Sequence, residues 1–228
     1  MNRMVGSSVL ALAGVAFITG GAAAHGPLPH GDISPYAFGG TVRTNLISED
    51  ETTTTPGVRV FFAELGEDVP DFADEPGWLS PDGSFAGEGT LSFRFNRALK
   101  AWNGTDFVGT TARMSLSFGP LGPVTTPLTD LMVTGFGLPI DEHGGLHDHP
   151  DYLLEPGASD GIYLLDISFF SDDLGLSASE PVWILFGRNA SEEDAEAAYD
   201  HAMETIPAPG VAMTLLGGAW MLGRRRRR

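Results

Sequence analysis

The stretch Thr90-Leu-Ser-Phe-Arg-Phe-Asn96 alternates apolar and polar residues without a break. An extended chain puts Leu91, Phe93 and Phe95 on one face and Ser92, Arg94 and Asn96 on the other, so this is a strand with one buried side. The same rhythm recurs at Arg113-Met-Ser-Leu-Ser-Phe118, at Val58, Val60 and Phe62, and at Tyr163, Leu165, Ile167 and Phe169. The run 182–186 is apolar throughout and suits a strand buried on both faces. Turn chemistry separates these runs: Pro56-Gly57, Pro81-Asp-Gly83, Gly119-Pro-Leu-Gly-Pro123 and Pro156-Gly157. Many short strands with Gly and Pro between them predict an all-β fold, an antiparallel β-sandwich of Ig-like type over residues 25–190. A single helix is expected at 191–205, with Ser191 as its cap, three acids in its first turn and Ala195, Ala197, Ala198 and Ala202 along it. It reads as a spacer after the strands.

The two ends carry a different pattern. Residues 1–24 combine Arg3, an apolar run from about Val9 to Thr19, and a close of Gly20-Gly21-Ala22-Ala23-Ala24. That is a cleaved secretory signal, too short to span a bilayer, and cleavage after Ala24 makes His25 the first mature residue. At the other end, 206–228, a break containing Pro207, Ala208, Pro209 and Gly210 precedes an apolar stretch and then Arg224, Arg225, Arg226, Arg227 and Arg228. The apolar stretch is a hydrophobic sorting tail long enough to cross a membrane transiently, with the arginines held on the cytoplasmic side. This three-part ending resembles the PEP-CTERM sorting signal, with Pro207-Ala208-Pro209 in the place of the usual Pro-Glu-Pro. The resemblance implies recognition by exosortase after signal peptidase has acted, and a place in the cell envelope or extracellular matrix of a bacterium.

Without its ends the chain keeps all 30 acids and seven of its 13 basic residues, a charge of about −23. Such a surface excludes nucleic acid as a partner, repels anionic polymers and gathers divalent cations. Extracellular polysaccharide remains a partner to expect in a matrix. The absence of Cys removes disulfides, thiolate zinc sites and cysteine nucleophiles. No nucleophile elbow, phosphate loop or dinucleotide fingerprint occurs, so the expectation is a protein that is not an enzyme. The acids at 49–51, 67–68 and 172–173 lack the spacing of a calcium loop. Trp78, Trp102 and Trp183 read as core or sheet residues.

The pointed feature is Asp141-Glu-His-Gly-Gly-Leu-His-Asp-His-Pro-Asp151. On a strand, His147 and His149 face the same way and both imidazoles reach one ion. His143, across the Gly144-Gly145 turn, is a candidate third ligand, and Asp141, Glu142 or Asp151 a candidate carboxylate. Imidazoles with one carboxylate suit zinc, and also copper or nickel. The segment 141–186 resembles the His-x-His module of bacterial surface-anchored proteins, with Ala158-Ser-Asp160 inserted after Pro156-Gly157; the resemblance implies an association with metal uptake. Two alternatives stand beside this one. A mature His25 with a second histidine would form the brace of a secreted copper enzyme, or the histidines would be plain surface of a structural or adhesive matrix protein.

Overall fold

The computed structural model describes residues 28–206, which are built from strands with one helix after them. The chain opens with a hairpin of Asp32–Phe38 (β1) and Thr41–Ile47 (β2). Its turn is Gly39-Gly40, with both φ angles positive (60° and 79°), the conformation a two-residue hairpin loop demands. There follow Thr54–Pro56 (β3), Val60–Leu65 (β4), Phe72–Ala73 (β5), Trp78–Ser80 (β6) and Gly89–Phe95 (β7). Lys100–Trp102 (β8), Phe107–Gly109 (β9), Met114–Phe118 (β10), Leu121–Thr125 (β11) and Val133–Ile140 (β12) come next. Leu146–Asp148 (β13), Asp151–Leu154 (β14), Gly161–Phe170 (β15) and Val182–Arg188 (β16) complete the strands, and Glu192–Thr205 forms α1.

Three sheets result. One runs β13-β6-β1-β2-β3, one β11-β10-β14-β5, and the largest β12-β7-β15-β16-β4 with β8 and β9 attached to β15. The expected all-β class and terminal helix are both present. Between the named strands the pairing is antiparallel except at two places: β1 lies parallel to β6, and β4 lies parallel to β16 in register from Val60 and Trp183 to Leu65 and Arg188. Antiparallel neighbours can be joined by a tight turn; parallel ones need a long connection, and here 39 residues lie between β1 and β6 and 116 between β4 and β16.

All three sheets contribute to one core. Leu91, Phe93 and Phe95 are fully buried while Ser92 and Arg94 are half-exposed, as their alternation predicts. Trp78 from β6 meets the edges of Phe93 and Phe169 with ring centroids 5.6 and 4.9 Å apart, and Tyr152 from β14 packs on Phe186. On its other face the largest sheet presents Val60, Phe62, Ile162, Leu164, Trp183 and Leu185, which Ala195, Ala198 and Ala202 of α1 cover. That second covering explains why 182–186 is apolar at every position. The Ser191 hydroxyl accepts the Asp194 N–H at 3.1 Å and caps α1. The helix is thus a packed layer of the body, not a bare spacer. Among the described residues no helix is long and apolar enough to cross a membrane. The signal segment 1–24, His25 and the sorting residues Pro207 to Gly210 and Arg224 to Arg228 lie outside the described residues.

Candidate metal centre

β13 is the edge of its sheet, and its register with β6 sets His147 opposite Leu79 and Asp148 opposite Trp78. Continued by one residue, that register brings His149 level with Gly77. On the other side of β6, Ile33 pairs with Trp78, so Asp32 also falls level with Gly77. Gly77 therefore occupies the middle of a row whose flanks are a carboxylate and an imidazole. A Cβ at Gly77 would stand 2.5 Å from Asp32 Oδ1 and 2.7 and 2.8 Å from His149 Cε1 and Nδ1. Only glycine leaves that space to the two side chains.

One ligand atom from each of Asp32, His147 and His149 lies within 4.8 Å of the others. The Nε2 atoms of His147 and His149 are 3.2 Å apart. Two imidazoles bound tetrahedrally to zinc at about 2.0–2.1 Å have nitrogens roughly 3.3 Å apart. Asp32 is buried, His149 half-buried and His147 exposed, so the group opens to solvent on one side.

The surroundings orient the candidate ligands. His149 Nδ1 faces two oxygens that only accept, the Asp74 carbonyl at 3.2 Å and Glu75 Oε1 at 3.3 Å. Its proton belongs there, which leaves the Nε2 lone pair directed at His147, the outer-shell arrangement of metal-binding histidines. Glu75 is itself held by the Gly77 N–H at 2.9 Å. Partial burial, together with the charge and hydrogen bond of nearby Asp32, pushes the Glu75 carboxyl above its usual range. Burial likewise raises that of Asp148. Behind the row, Trp78 Nε1 donates to the Tyr152 hydroxyl at 3.0 Å, which donates to the Pro76 carbonyl at 3.1 Å. Burial raises the Tyr152 phenol so far that it stays protonated and keeps the backbone beside Gly77 fixed.

His147 and His149 are brought together as the sequence led us to expect; His143 is not part of the group. Its side chain is 67% exposed, beside Glu142 at 3.7 Å. The cause is local. Asp141 Oδ1 accepts the N–H groups of His143 (2.8 Å) and Gly145 (2.9 Å), closing a tight turn that sends the His143 ring outward. Those bonds, the Gly145 N–H foremost, hold the Asp141 carboxyl below its usual range and occupy it as a turn former. Asp151 starts β14 opposite Ser117. The carboxylate comes instead from Asp32, more than a hundred positions upstream. A burial-minded reading had one signal for it, an acid inside a run that is otherwise a good strand. No protein-family model, curated protein or solved structure matches this chain.

Proposed function

We propose that this chain is an exported, exosortase-sorted and non-enzymatic protein of a bacterial envelope or extracellular matrix that holds a divalent metal ion of the zinc class. The ligands are His147, His149 and Asp32, with Glu75 orienting His149. The observation that carries this reading is the 3.2 Å approach of two imidazole nitrogens beside a buried carboxylate, over a position that only glycine can fill. An acidic body of about −23 raises the local concentration of cations around the site. The basic start, the small residues before His25 and the arginine-ended tail support export and sorting. The Ig-like sandwich is supported by the way Trp78 and Tyr152, from the two smaller sheets, rest on one face of the largest.

The competing account is a plain hydrogen bond between two neutral imidazoles, which has the same spacing. Zinc calorimetry on the full chain separates them. Saturable binding of one ion, lost in the H147A/H149A double variant, supports the site. Equal uptake by both proteins would assign the ion to the acidic surface, and no uptake by either would leave only the hydrogen bond.

A further inference from the structure

In an acidic body, two of the seven basic residues meet at one cleft. It has a volume of about 220 Å³ and lies between the β1–β2 hairpin, the segment around Gly57 and Arg59, and residues 178–180 that lead into β16. None of the metal ligands lines it. Arg59 is nine-tenths buried, with only 10% of its side chain exposed, and its Nη1 lies 3.2 Å from Glu180 Oε2. Arg43 stands over the ring of Phe38, its guanidinium carbon 4.8 Å from the centroid, and makes no hydrogen bond or ion pair among the described residues. The residue is exposed and lines the cleft. Tyr36 is the cross-strand partner of Arg43 and lines the same cleft, and its hydroxyl likewise has no partner among the described residues. The hydroxyl-bearing Thr41 and Ser179 complete the wall.

We infer that this cleft binds a small hydroxylated carboxylate of one-ring size, a monomeric sugar acid. Three observations lead there. The protein already places a carboxylate beside Arg59, that of Glu180, whose own side chain is 45% exposed. A planar guanidinium prefers that group. The idle donors of Arg43 and the idle hydroxyl of Tyr36 lie across the strand pair from each other, matched to a ligand that carries a carboxylate and ring hydroxyls together. Finally, the volume of about 220 Å³ is below the roughly 300–1,000 Å³ of a drug-sized site and matches a single ring. The body's charge acts in the same direction, because a long polyanion meets far more repulsion than a monovalent acid does. The inference is independent of the metal reading.

Calorimetry of the full chain with D-glucuronate, glucose, inorganic phosphate and a glucuronate oligomer tests it. Binding of glucuronate, with glucose at least tenfold weaker, is expected. R43Q removes the free guanidinium at an exposed position, where folding is not at stake, and should weaken glucuronate about tenfold. E180Q removes the competing carboxylate and should tighten it about threefold, an effect opposite to that of a merely damaged fold. Y36F should weaken it a fewfold. The inference is overturned if glucuronate does not bind, if R43Q binds as the parent does, or if glucose binds as well as the acid. Phosphate binding as tightly as glucuronate would mark a simple anion site, and tighter binding of the oligomer a polymer groove; either result overturns the sugar-acid assignment.

Discussion

At the residue scale the proposed metal centre separates candidate ligands from neighbours that look like ligands. D32N and H147A each remove a donor, and zinc titration should show affinity falling by at least about a hundredfold in each. H143A and D141A, although their residues sit in the same histidine-rich stretch, should keep the stoichiometry and most of the affinity. E75Q keeps the shape but weakens the hold on His149 Nδ1, for which a loss of about tenfold is expected. The same variant carries a pH signature. A carboxyl whose pKa is raised on folding is easier to accommodate protonated, so the folded state loses stability as pH rises from the usual 4.5 through the raised value. Metal-free E75Q should therefore melt higher than the parent at pH 7 and no higher well below pH 4.5. A matching curve at both pH values would contradict the role given to burial. G77A adds one methyl group where Asp32 and His149 already meet; loss of zinc binding with the strands intact by circular dichroism is the expected result.

At the element scale the largest sheet contains an acid that burial alone would forbid. Asp166 on β15 is 1% exposed. It accepts from Asn96 Nδ2 at 2.6 Å and Trp183 Nε1 at 3.1 Å and forms an ion pair with Arg97. D166A strands those donors beside a buried surface. Denaturant unfolding should show a loss of about 2–4 kcal/mol, below the full cost of breaking a buried pair because Arg97 is 37% exposed. The alternating runs were readable from sequence because period two is a local property: Leu91, Phe93 and Phe95 declare their face without knowing what covers it. The helix was readable for the same reason, from Ser191, its acids and its alanines. Pairing was not readable. The β4–β16 match joins residues more than a hundred positions apart, and the β1–β6 contact that delivers Asp32 to the histidines rests on a short parallel register. His147 and His149 were legible from their two-residue spacing. Asp32 and the empty place at Gly77 required the third dimension, and His143 misled because a turn bonded to Asp141 overrides proximity along the chain.

At the scale of the whole molecule, α1 is where the body and the proposed sorting tail meet, and the two must be separable for sorting to work. The last residues that pack on the large sheet are Ala202, fully buried, and Ile206, partly so. Pro207-Ala208-Pro209 follows at once. A cut within or after that motif thus leaves every described layer covered, whereas a cut before α1 bares Val60, Phe62, Ile162, Leu164 and Leu185. Contiguous apolar surface of that kind drives association. Two truncations make this measurable. A chain ending at 206 should melt within a degree or two of the full chain in detergent-free buffer and remain monodisperse in light scattering. A chain ending at 190 should melt far lower and associate. In a host with active exosortase, mass spectrometry should find an envelope form without Arg224 to Arg228, with the melting behaviour of the chain ending at 206. If the chain ending at 190 proved as stable and as monodisperse as the one ending at 206, the helix would be the spacer that its sequence suggested, and the layer it forms on the sheet would contribute nothing to the fold.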